Sequence, residues 1–101
     1  MRMLFTAKMC TDTFNALVKA GTAGSKIKKI LEDLKPEATY FTAIDGRRTA
    51  VLIINLTDPS QIPSIAEPWF LNFNAELQFL PIMGPEDLAK SGLDTLAKKW
   101  A

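Results

Sequence analysis

Four polar residues are spaced so that they could share chemistry: Lys8, Tyr40, Asn55 and Glu76. An ammonium, a phenol, an amide and a carboxylate together can hold a small acidic or carbonyl compound. In a closed pocket that shifts their pKa values they can also move a proton. Other chemistries are ruled out by composition. There is no His, so Ser-His-Asp and Cys-His catalysis cannot be assembled within one chain type. His-containing metal sites are ruled out with them. The single Cys, Cys10, can form neither an internal disulfide nor, alone, a thiolate zinc site. No G-x-G-x-x-G or Walker-type phosphate loop occurs. No cofactor and no metal are expected.

The elements that must position these residues follow from apolar periodicity. Met3, Phe5, Ala7 and Met9 alternate with Arg2, Leu4, Thr6 and Lys8, which predicts a first strand with Lys8 on its less apolar face. Two runs rich in β-branched and aromatic residues flank Asp45-Gly46, a strong hairpin signal because a primed two-residue turn needs positive φ at both positions. That turn sets Phe41 opposite Ala50 and Tyr40 opposite Val51. One face then carries Thr39, Phe41, Ala43, Ala50, Leu52 and Ile54; the other carries Tyr40, Thr42, Thr49, Val51, Ile53 and Asn55. Ala75, Leu77, Phe79, Pro81 and Met83 alternate with Glu76, Gln78, Leu80 and Ile82, predicting a fourth strand. Pro81 cannot donate to a ladder, so this strand should lie at an edge or end there.

Helices fill the gaps. Thr11 or Asp12 can cap a helix whose apolar stripes, Phe14-Leu17-Val18 and Ile27-Ile30-Leu31-Leu34, point in different directions. A break at Gly21–Gly24 is therefore expected, and Pro36 ends the region. Asp58-Pro59 closes the third strand. Ile62, Ile65, Ala66, Trp69, Phe70 and Phe73 predict an amphipathic helix with Pro63 in its first turn and a bend at Pro68. Gly84-Pro85-Glu86-Asp87 starts a last helix with an apolar side of Leu88, Leu93, Leu96, Ala97 and Trp100, open to interruption at Ser91-Gly92.

A chain of 101 residues is one domain, residues 1–101. A net charge of +1, with mixed signs along the chain, argues against a nucleic-acid partner or an anionic membrane surface. No apolar run reaches the roughly 18–20 residues of a membrane span, and no signal peptide is apparent. A cytoplasmic location is expected.

The order β-α-β-β-α-β with a C-terminal helix predicts an α+β, ferredoxin-like domain with an antiparallel four-stranded sheet in the order 4-1-3-2. Ala50–Ile54 has no polar residue, and a strand apolar at every position is buried on both faces. The chain's own helices cover one face; a second copy is the simplest cover for the other. Three runs carry a resemblance: K-P-E-A-T-Y-F-T-A-I-D-G-R-R-T-A at 35–50, I-A-E-P-W-F at 65–70 and P-I-M-G-P-E-D-L at 81–88. They resemble a family of small uncharacterised bacterial proteins of the dimeric α/β-barrel superfamily, over most of the chain after Ile30. The resemblance implies a protomer whose open sheet face packs on its partner's to form a barrel. That superfamily includes muconolactone isomerases, cofactor-independent monooxygenases and stress-response barrels; their catalytic patterns are not found here, and no catalytic residue is carried over.

The function expected is that of a homodimeric barrel binding a small molecule. The alternatives are a cofactorless enzyme of isomerase or monooxygenase type and a purely structural or interaction dimer. Strand 3 is taken as parallel to strand 1, so that Lys8, Tyr40, Asn55 and Glu76 meet at one end as the polar wall of a cavity lined by Leu4, Ile53, Leu80 and Ile82. Lys8 and Glu76 should be cross-strand neighbours, since a lone buried ammonium is costly. The competing reading of these residues is polar decoration of a partly solvated face. Arg47 and Arg48 are read as solvated, Glu67 as facing water, Cys10 as an inert thiol, and Trp69 and Trp100 as core or interface.

Overall fold

Asp45 and Gly46 turn the chain in two residues, with φ of 53° and 71°, the left-handed pair that matches strand twist in a tight hairpin. The computed structural model describes Met1–Ala101. Around the hairpin the order is β1 (Arg2–Lys8), α1 (Thr11–Lys19), α2 (Ala23–Leu34), β2 (Ala38–Ile44), β3 (Arg47–Asn55), a 3₁₀ turn (Pro59–Gln61), α3 (Ile62–Phe73), β4 (Glu76–Pro81), α4 (Pro85–Lys90) and α5 (Leu93–Trp100). The fold is α+β, with one four-stranded antiparallel sheet. Its spatial order is β2-β3-β1-β4, which from the β4 edge reads 4-1-3-2. Phe41 lies opposite Ala50 and Tyr40 opposite Val51, the register a two-residue turn dictates.

One expectation fails in a way that matters for the site. β3 runs antiparallel to β1, not parallel, with Arg2 opposite Asn55 and Lys8 opposite Thr49. β1 is antiparallel to β4 as well, with Lys8 opposite Glu76. Alternation along a strand reveals which side chains share a face, but carries no information on strand direction.

The first helical region is divided as its stripes require, at one glycine. Gly21 has φ 76°, and α1 closes with Gly21 N–H donating to the Val18 carbonyl and Thr22 N–H to the Leu17 carbonyl, both at 3.0 Å, a Schellman arrangement. Gly24 lies inside α2. The residue preceding α1 is Cys10, in extended conformation and with no side-chain cap; neither Thr11 nor Asp12 takes that place. α3 runs through Pro68, and Asn72 Nδ2 donates to the Pro68 carbonyl at 2.7 Å. β4 is an edge strand that ends at Pro81. The C-terminal helix is two short helices broken at Gly92, φ 74°.

The core lies between one sheet face and α1–α3. Met3, Phe5, Ala7, Ala50, Leu52 and Ile54 point into it from the sheet, and Phe14, Ile30, Ile65, Trp69 and Phe73 from the helices. Trp69 is fully buried and tilts against Phe5 and Phe73 with ring centroids 5.8 Å away in each case. Burying each such side chain contributes roughly 1.5–3 kcal/mol. The other sheet face has no helix on it. No helix is long and apolar enough to cross a membrane.

Candidate functional site

The helix-free face is laid out in rows by the strand registers. Glu76, Lys8, Thr49 and Thr42 form the row at the hairpin end; Gln78, Thr6, Val51 and Tyr40 form the next; Leu80, Leu4, Ile53 and Ala38 the third; Arg2 and Asn55 close the far end. The face is therefore charged at one end, polar next to it, and apolar beyond. Thr6 and Thr49 are buried, Leu4, Val51 and Ile53 half-buried, and Leu80 exposed. The two central strands are shielded by their neighbours' side chains, while the edges are open.

The charged end holds two cations and two anions. Lys8 Nζ lies 3.0 Å from Asp45 Oδ2 and 3.9 Å from Glu76 Oε2, and Arg47 Nη1 lies 3.0 Å from Glu76 Oε1. Lys8 and Glu76 are thus cross-strand neighbours, but each has a closer partner that the sequence reading left out. Arg47 is not the solvated residue expected of a position after a turn. Its Nε donates to the Met9 carbonyl at 3.2 Å and its Nη2 to the Lys8 carbonyl at 3.3 Å. These bonds fasten the hairpin to the end of β1, and the side chain is three-quarters buried. The signal was present: a two-residue turn makes Arg47 the first ladder residue of β3, on the face of Thr49 and Val51. Lys8 and Arg47 bring two positive charges and Asp45 and Glu76 two negative ones, so the cluster is neutral overall. It can present hydrogen-bond donors and acceptors without a net field.

The other two candidates stand elsewhere. Asn55 sits at the far end of the face, six residues along the strand from Thr49, about 20 Å away. Its Oδ1 already accepts from the Met1 amino group at 3.0 Å. Tyr40 shares the face but lies on the outer strand β2, 63% exposed. It is one row from Lys8's and two strands over. The single polar wall of Lys8, Tyr40, Asn55 and Glu76 is therefore not formed. Lys8 and Glu76 are brought together, Asn55 is separated because β3 is antiparallel to β1, and Tyr40 belongs to the central row with Thr6 and Gln78.

Concave surface within the chain lies off this face. A groove of about 510 Å³ runs between α2 and α3, over Ile30 and Pro68, with Lys26, Lys29, Glu32 and Asp33 on its rim. Lys26 Nζ bonds Asn72 Oδ1 there at 3.3 Å. The Cys10 thiol, half-buried at the start of α1, titrates below its ordinary value because the Thr13 side chain and backbone hydrogen-bond to its thiolate form. Arg48, the other residue read as solvated, is exposed yet engaged: its Nη1 donates to Asn15 Oδ1 at 2.8 Å and its guanidinium stacks 4.9 Å from the Phe14 ring centre. Comparison of the chain with protein-family models, with curated proteins and with solved structures finds no match.

Proposed function

We propose that the protein is a homodimer in which two ferredoxin-like protomers join the helix-free faces of their sheets into a barrel, and that a small molecule binds between them. The observation that supports this most is the layout of that face, an apolar row of Leu80, Leu4, Ile53 and Ala38 beside a row in which Gln78, Thr6 and Tyr40 are polar, with Lys8 and Glu76 at the end. Such a gradient suits a ligand with an apolar body and one acidic or carbonyl end, as small-molecule sites are mostly apolar with few placed polar groups. The net charge of +1 fits a partner that is neither nucleic acid nor membrane, and a single unpaired thiol fits the cytoplasm.

A second reading also has a specific support. Lys8 and Arg47 each already have a carboxylate at 3.0 Å, which suits a purely structural dimer whose interior is filled by side chains. A cofactorless enzyme would need a proton-transfer group enclosed by the partner, for which Lys8, Tyr40 and Glu76 are the candidates.

Sedimentation velocity at micromolar concentration tests the dimer: a folded monomer ends the proposal. Thermal shift with a panel of small carboxylic acids and ketones tests the ligand. Stabilisation by a compound, lost in Lys8→Met while the variant still sediments as a dimer, is the expected outcome. No stabilisation by any compound leaves the structural dimer.

A further inference from the structure

After β4 the chain makes an arm that touches almost nothing of its own protomer. Ile82 N–H still bonds the Arg2 carbonyl at 3.2 Å; from Pro85 onward every residue is exposed. The arm is nonetheless built as an ordered element. Gly84 N–H donates to Asp87 Oδ2 at 2.9 Å at the start of α4, and Leu96 N–H to the Gly92 carbonyl at 3.0 Å at the start of α5. Leu93, Leu96, Ala97 and Trp100 recur at three- and four-residue spacing, one apolar stripe along α5. Trp100 is 77% exposed. The whole chain has a radius of gyration of 17.0 Å, where a compact chain of this length has about 13 Å.

An amphipathic helix with no surface to lie on needs a partner, and area identifies which. β1 and β2 have seven residues each, and four such strands spaced about 4.8 Å apart present a face of roughly 450 Å². Two such faces give a flat footprint of roughly 900 Å², and side-chain relief raises the accessible area buried only part of the way to the roughly 2,000 Å² and more of an obligate dimer. The sheet faces alone are too small. The protomer also leaves its β2 edge bare: Tyr40, Phe41 and Ile44 are exposed although they occupy both faces of that strand. A twofold axis along the strands would set each β4 edge opposite the partner's β2 edge, and the arm, which continues from β4, would then reach β2 of the second copy.

Resting on the dimer proposed above, we infer that residues 85–101 are an exchanged arm, whose Leu93–Leu96–Trp100 stripe docks on the β2 edge of a second copy of this chain, around Tyr40, Phe41 and Ile44. Each copy clasps the other, and the barrel between the sheets is closed at its rim by the partner's arm.

Two measurements on the full chain test this. In Leu96→Gln/Trp100→Gln neither residue supports the protomer's own core, so near-ultraviolet dichroism from Trp69 stays unchanged. The dimer dissociation constant should rise at least about 30-fold, the scale of losing interface anchors. A wild-type dimer whose dissociation constant the double substitution leaves within about threefold overturns the arm while leaving the sheet dimer intact. A wild type that sediments as a monomer removes both. Separately, a benzophenone amino acid placed at position 100 is photolysed in a mixture of ¹⁴N and ¹⁵N chains. Mixed-isotope cross-links mapping to residues 36–47 are expected; cross-links within one chain only, or to other segments, overturn the inference.

Discussion

The two tryptophans occupy opposite environments, and the regions around them differ in the same way. Trp69 is fully buried among Phe5 and Phe73, whereas Trp100 is 77% exposed. In the body, residues 1–82, the stripes of α1, α2 and α3 meet one sheet face of the same chain, as when the Phe14 and Phe73 rings lie 5.4 Å apart, tilted against each other. In the arm, an equally regular stripe meets none. Periodicity therefore reports that a surface wants cover, and is silent on which molecule supplies it.

The sharpest way to break that contrast is to truncate both rings. Trp69→Ala should cost about 3–5 kcal/mol in urea denaturation, a large share of a small domain's stability. Trp100→Ala, measured at dilutions where the chain is monomeric, should change unfolding by less than about 0.5 kcal/mol. Equal costs would mean that the arm packs on its own body. Trp69→Phe refines the point. The Trp69 indole N–H is buried with no acceptor, a penalty of about 1–3 kcal/mol. The smaller ring removes that penalty along with some packing, so its net cost should fall below that of the Ala variant by more than half.

Next in size are two glycines with nearly the same backbone. Gly46 has φ 71° in the body and Gly92 φ 74° in the arm, a region where a branched side chain is strained. Gly46→Val should cost roughly 1–2 kcal/mol of stability; Gly92→Val, measured at dilutions where the chain is monomeric, should leave the body's denaturation midpoint unchanged, because no core residue depends on the arm's direction. A wild-type midpoint for Gly46→Val would contradict the strain assigned to the turn.

The smallest effect compares two caps. Asp58 Oδ1 accepts from Ser60 N–H at 2.8 Å in the body, as Asp87 does from Gly84 N–H in the arm. The Asp58 carboxyl titrates below its ordinary 3.8, through its side-chain and backbone hydrogen bonds from Ser60. A carboxyl whose folded pKa is depressed stabilises the fold fully above its unfolded value, and that contribution is lost as pH falls through the lowered one. Wild type should therefore lose slightly more stability than Asp58→Asn when the pH drops below about 4. Parallel curves for the two proteins would show that the Asp58 charge is not coupled to folding.

Most of the body was legible from residue pattern. Asp45-Gly46 marked the hairpin and its register, alternation marked β1 and β4, and Pro81 marked an end and an edge. The losses have physical causes. Face and direction are independent, so alternation puts Asn55 on the right face but cannot tell which end of it. Arg47 looked like a loop residue because its role depends on carbonyls of Lys8 and Met9, far away in sequence. Asp45 was read for its backbone alone, although its carboxylate is the closest partner of Lys8. The helix start at Gly84-Pro85 and its weak point at Ser91-Gly92 are legible in the sequence; the exposure of the whole arm is not, because apolar spacing does not say whether a surface finds cover.

The central position of β1 also has a consequence for synthesis. β1 is made first, yet Phe5 pairs with Leu52 on one side and Phe79 on the other. At about 5–20 residues per second, several seconds separate translation of β1 from translation of β4. During that interval Met3 and Phe5 belong to an apolar strand with one or both edges unpaired, a hazard for association between nascent chains. α1 and α2 are made directly afterwards and their contacts are local, so they are the first cover available to it. The strand made first is the one that waits longest for both of its neighbours.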